Sequence, residues 1–94
     1  MQTQVTFRHF KSHQPVLNEM AIELAENFEK YLDGIIKTNI EFINEIEKTV
    51  EFTVHVNGTT LVVKESSEDF KKSLAEAADK MVRQLRRWKT KYYN

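Results

Sequence analysis

The chain has no cysteine. That excludes disulfides, thiolate metal sites and a cysteine nucleophile, and it fits a reducing cytoplasm. Glycine occurs twice, at Gly34 and Gly58, and proline once, at Pro15. Two isolated glycines cannot build a glycine-rich phosphate loop. No stretch approaches the ~18 apolar residues of a membrane span, and no charged-then-apolar leader opens the chain. Neither a membrane partner nor export is expected, and the predicted setting is cytoplasmic. The three histidines, His9, His13 and His55, fall on separate elements without ligand-like spacing, so no metal site is announced. His55 reads as a plain surface residue.

What is present is a folded composition. Of 94 residues 40% are apolar, with six Phe, three Tyr and one Trp, which suits one small globular domain over residues 1–94. The formal net charge of zero conceals a division. Residues 1–47 hold four basic and eight acidic side chains, a net −4, whereas residues 48–94 hold ten basic and six acidic, a net +4. Such asymmetry points to a directional field and a nucleic-acid face.

The last third organises the rest. Read as a helix from Ser66 to Tyr92, it places Phe70, Leu74, Ala77, Ala78, Met81, Leu85, Trp88 and Tyr92 on one apolar stripe. Lys72, Lys80, Arg83, Arg87 and Lys91 fall opposite within a sector of roughly 100°, flanked by Arg86 and Lys89. Ser66 with Asp69 three residues on resembles a capping box. That role explains the serines better than nucleophilic chemistry, because no base is placed near them.

Upstream, Gln4 to His9 alternates as a short strand, and Lys11 to Gln14 is a loop. Pro15 suits the first turn of a helix running to about Leu32, with Ser12 or Gln14 as its cap. Leu17, Met20, Ala21, Leu24, Phe28, Tyr31 and Ile35 form its apolar stripe, and Glu19, Glu23, Glu26 and Glu29 its outer face. Asp33-Gly34 is read as its stop. Asn39 to Asn44 is a second strand and Glu45 to Lys48 a turn. Val50, Phe52, Val54 and Val56 alternate with polar residues into Asn57-Gly58, a strong hairpin signal with positive φ expected at both turn positions. A two-residue turn pairs Val56 with Thr59, Val54 with Leu61, Phe52 with Val63 and Glu51 with Lys64.

The order β-α-β-β-β-α predicts a two-layer α/β sandwich, a four-stranded sheet with two helices packed on one face. The spread-out glutamates lack the cleft that acid–base chemistry wants. The expectation is therefore a protein that is not an enzyme, with no catalytic residues, cofactor, metal or small-molecule substrate. Lys72, Lys80, Arg83, Arg86, Arg87, Lys89 and Lys91 are the candidate RNA-binding residues, able to track a phosphate backbone. Trp88 is read as packing on the core or the sheet edge. RNA is favoured over duplex DNA because no helix-turn-helix precedes the basic helix.

The same order resembles the short ribosome hibernation-promoting factors and ribosome-associated inhibitors of bacteria (the sigma-54 modulation protein family). The likeness is carried by Phe28-Glu29-Lys30-Tyr31-Leu32-Asp33, His55-Val56-Asn57-Gly58, Glu68-Asp69-Phe70 and Asp79-Lys80-Met81-Val82-Arg83-Gln84-Leu85. It implies a translation inhibitor that occupies the small-subunit channel between head and body, over the messenger and transfer RNA sites. Ribosomes would thereby be held idle under stress or in stationary phase. The implied partners are 16S rRNA and neighbouring ribosomal proteins. Lys80, Arg83, Arg87, Lys89 and Lys91 match the family's basic positions, and the chain resembles the short form without a ribosome-pairing domain. The family's basic positions in the first helix correspond here to Asn18, Leu24 and Asn27, amid an acidic face. Two alternatives stand beside this reading: a general binder of double-stranded RNA, and a protein-interaction module docking through Glu19, Glu23 and Glu26.

Overall fold

In the computed structural model the backbone is described for residues 1–93 and the side chains for residues 1–91. The elements are β1 (Gln2–Arg8), α1 (Pro15–Phe28), β2 (Lys37–Asn44), β3 (Lys48–Val56), β4 (Thr59–Ser67) and α2 (Phe70–Tyr93). The sheet order is β1-β2-β3-β4, with β1 parallel to β2 and the other two pairings antiparallel. This is the predicted β-α-β-β-β-α sandwich. β1, β2 and β4 therefore run one way, and both helices return the other way, parallel to one another.

One core joins the layers. Ile40, Phe42, Val50, Phe52, Val54 and Val63 from the sheet meet Leu17, Ala21, Ala25 and Phe28 of α1 and Leu74, Ala77, Met81 and Leu85 of α2. Both helices thus cover the same sheet face. The opposite face presents Thr6, Arg8, Thr60, Val62 and Lys64 to solvent, with Glu51, Thr53 and His55 half-buried among them. Four phenylalanines tie the start of α2 to β1 and β2. Phe7 stacks on Phe42 at 5.0 Å, Phe10 meets Phe7 at 5.3 Å, and Phe70 lies 5.2 Å from Phe10 and 5.8 Å from Phe42. Phe10, in the loop after β1, carries no periodic signal in the sequence. His9, just before it, takes a positive φ of 66° and lets the chain turn off the strand.

The β3–β4 register matches the expected pairs, Val56 with Thr59 through Glu51 with Lys64. The hairpin differs in one respect. Gly58 alone has positive φ, at 90°, so the demand falls on the second central position, as in a type II turn. Lys64 faces Glu51 across the ladder, but the closed ion pair on this side of the sheet is Arg8–Glu41 at 3.0 Å.

Two helix boundaries correct the expectations. Ser66 and Ser67 do not open α2; they end β4, paired with Thr49 and Lys48. The capping box is therefore absent. Asp69 is the cap instead: its Oδ1 accepts from the Lys71 N–H at 3.0 Å, and its carbonyl from the Ser73 N–H at 3.0 Å. Ser67 donates to the Asp69 carbonyl at 2.8 Å and so shapes the turn. At the other helix, α1 ends at Phe28 and not at Leu32. Tyr31 and Leu32 still donate to the Phe28 carbonyl at 3.0 and 3.2 Å, so a tight turn carries the stripe on without the helix. Gly34, with φ 82°, serves the later bend toward Ile35. Pro15 is the first residue of α1, as expected, while Gln14 at the cap position makes no side-chain capping bond.

Candidate nucleic-acid interface

α2 has 24 residues, so it is ~36 Å long at ~1.5 Å per residue. Its last buried side chain is Leu85; beyond it every described residue except half-buried Trp88 is exposed. No acid follows Asp79 in the sequence, whereas Lys80, Arg83, Arg86, Arg87, Lys89 and Lys91 all do. Cations near a helix C-terminus also suit its dipole. The last three turns are thus cationic throughout, and all seven candidate residues are exposed.

Two of them have acidic neighbours. Lys72, in the first turns, lies 3.8 Å from Glu68, and Lys80 contacts Glu65 of β4 at 2.8 Å. Both lysines are about half exposed (53% and 50%). Such pairs are worth about 0–1 kcal/mol, so neither cation is locked away from an incoming phosphate. Among the described residues no carboxylate lies within 4 Å of Arg83, Arg86, Arg87 or Lys89.

The remaining cations divide between the two flanks of α2. On the α1 side, Arg83 and Arg86 line a groove of about 410 Å³ with Leu24, Asn27, Tyr31, Val82 and one carboxylate, Asp79. The Arg86 guanidinium sits 5.0 Å from the Tyr31 ring centre. A cation–π contact of this kind holds the group in place without neutralising it. On the β4 side, Arg87 and Lys91 line a separate cleft with Leu61, Gln84 and Trp88. Lys89 is exposed and lines neither groove. Tyr92, counted on the apolar stripe, has its side chain outside the described residues.

Tyr31 and Gln84 line the grooves but are not among the candidate binding residues, whereas the family resemblance puts Leu24 and Asn27 at basic positions of the first helix. Tyr31 was legible only as part of the apolar stripe; its second role, under Arg86, depends on how far apart the helices sit. Glu19, Glu23 and Glu26 are exposed on the outer face of α1 and Glu29 just after its end, and the groove side of α1 carries uncharged Asn27.

A two-layer α/β sandwich with two parallel helices on one face and a cationic C-terminal helix defines the class. The chain belongs to the Sigma 54 modulation protein / S30EA ribosomal protein family, which it matches over residues 3–93. It is 32% identical to a ribosome hibernation promoting factor of Pseudomonas putida over 94 residues, covering 97% of this chain and 89% of that one. Among solved structures it resembles a ribosomal subunit interface protein from Coxiella burnetii (TM-score 0.85, 25% identity, 96% of this chain and 99% of that one). The Thermus thermophilus Protein Y N-terminal domain shares the fold at TM-score 0.82 and 17% identity, over 94% of this chain and 99% of that one. No helix among the described residues is long and apolar enough to cross a membrane.

Proposed function

We propose that this chain is a ribosome hibernation factor: a cytoplasmic, non-enzymatic protein that binds the small ribosomal subunit through its RNA and holds the ribosome idle. The observation that carries the reading is the acid-free, exposed run of six cations from Lys80 to Lys91 on a helix of this family's fold. The sheet fixes the helix along its buried stripe, so the backbone that carries the cations is set before binding and the ordering cost falls on the side chains alone. Arg83, Arg86, Arg87 and Lys89 are the strongest phosphate ligands, since none of them has a carboxylate within 4 Å among the described residues. Lys72, Lys80 and Lys91 extend the track. The small-subunit decoding channel, where messenger and transfer RNAs lie, is the expected location. Stress or stationary phase is the expected occasion.

The test is co-sedimentation with purified small subunits across a salt series. Wild-type protein should co-migrate at low salt and dissociate as salt rises, because phosphate contacts release counterions. Arg83→Glu with Arg87→Glu should abolish co-migration while leaving the far-ultraviolet circular dichroism unchanged. Absence of wild-type co-migration at low salt overturns the proposal.

A further inference from the structure

The cleft on the β4 side of α2 differs in kind from the groove on the α1 side. It is an open recess of about 340 Å³ lined by Leu61, Gln84, Arg87, Trp88 and Lys91. An open recess of that volume, near the lower end of the roughly 300–1,000 Å³ that holds a small organic ligand, has room for one nucleotide. Trp88 packs on the core yet stays half-buried, so an aromatic surface remains on the cleft wall. Leu61, also half-buried, comes from β4, the edge strand of the sheet. Two cations border this apolar floor, and Gln84 brings both a donor and an acceptor.

An aromatic floor, cations beside it and one amide are the parts that hold an unstacked base. A base has a π-face whatever its identity, and aromatic stacking is how proteins take hold of single strands. The flanking phosphates require positive charge within reach, and arginine binds them in a fork. A paired base offers no free face, so a duplex cannot use such a floor. An acidic or plain apolar partner would leave either the ring or the cations without use.

We infer that the cleft formed by Leu61, Gln84, Arg87, Trp88 and Lys91 is a site for one unpaired nucleotide of single-stranded RNA, its base on Trp88 and its phosphates on Arg87 and Lys91. The inference deepens the RNA-binding reading above and rests on it for the biological source of the strand. It also divides the labour of α2: Arg83 and Arg86 face the α1 groove, and Arg87 and Lys91 serve the stacked nucleotide.

Trp88 is the sole tryptophan, so emission excited at the red edge of the aromatic band, where the tyrosines do not absorb, reports on this cleft alone. The full chain is titrated at low salt with a short single-stranded oligoadenylate and, separately, with an A-form RNA duplex. Binding is followed in parallel by anisotropy of a labelled oligonucleotide. Saturable quenching by the single strand and little by the duplex is the expected result. Trp88→Leu, which keeps the apolar fill but removes the π-face, should weaken oligoadenylate binding roughly tenfold, and Trp88→Phe should recover most of the loss. Circular dichroism checks that both variants fold. Binding without quenching, no binding, or equal quenching by the duplex overturns the site. Small-subunit co-sedimentation of the wild type and Trp88→Leu, run alongside, separates the two claims. If the wild type fails to co-migrate, the ribosomal reading falls and the quenching still decides the cleft. If both proteins co-migrate equally and tryptophan emission does not change, the cleft falls alone.

Discussion

The Ser73 hydroxyl donates to the Lys48 carbonyl at 2.6 Å and meets the Ser67 hydroxyl at 2.7 Å, while Ser73 itself is fully buried. It pins the start of α2 to the first residue of β3. An unmade hydrogen bond in such a place costs about 1–3 kcal/mol. Ser73→Ala should therefore lower the unfolding free energy in urea by about that amount, with no change in RNA binding if the fold persists. Ser66→Ala, which removes a 2.7 Å contact to the buried Thr49 from a residue that is itself exposed, should cost less. Nothing in the sequence marked Ser73 for burial. It stands beside Lys72 at a polar position of the helical pattern, and it is buried only because β4 runs on to Ser67 and delivers the strand end against it. Leu74, Met81 and Leu85 were legible for the opposite reason: an apolar side chain on a periodic stripe has one place to go. Tyr31 was half legible. Its hydrophobicity placed it at the helix layer, but its contact with Arg86 is set by the spacing of two helices that no local pattern encodes.

At the scale of elements, the β3–β4 hairpin was readable to the residue because two signals agreed. Strict alternation chose the buried face, and Asn57-Gly58 chose the turn, so a slip of one residue would have turned Val54 and Phe52 outward. The start of α2 lacked such agreement. Ser66, Ser67 and Asp69 all suit a cap, and only strand pairing with Thr49 and Lys48 removes the serines from the choice. Asp69 should thus carry the capping energy. Asp69→Ala is expected to destabilise the chain by about 1 kcal/mol, within the roughly 0.5–2 kcal/mol found for caps. Thermal unfolding of Asp69→Ala and Asp69→Asn side by side checks this, since Asn keeps the acceptor oxygen and should restore most of the loss. An Asp69→Ala midpoint equal to the wild type would show that the Ser67 turn alone suffices. The end of α1 was misjudged for a related reason. The apolar stripe continues through Tyr31, Leu32 and Ile35, all at least half-buried, while the backbone leaves the helix at Phe28. Periodicity reports which side chains are covered and does not report how the backbone gets them there.

Across the whole molecule the charges are segregated. α1 carries Glu19, Glu23 and Glu26 on its exposed face, with Glu29 just past its end, and α2, parallel to it across the groove, carries the cations. Net zero charge thus describes a dipolar object, and the acidic helix works against any polyanion that lies across both. The halves of this division were plain in the composition, but their side-by-side placement required the fold. Over a separation of roughly 10 Å in water one charge pair is worth about 0.4 kcal/mol before screening, and the Debye length at 0.1 M salt is about 10 Å. Changing Glu19, Glu23 and Glu26 to Gln removes three repulsive charges without altering the α1 stripe. The triple variant should bind small subunits more tightly, by a few-fold up to about tenfold at low salt. The gain should vanish at high salt, where screening hides the difference. Co-sedimentation at both salt concentrations measures it. Weaker binding by the variant would reverse the assignment of α1. Its glutamates would then be docking contacts to a basic protein surface, and the cationic half of α2 would meet RNA while α1 meets protein.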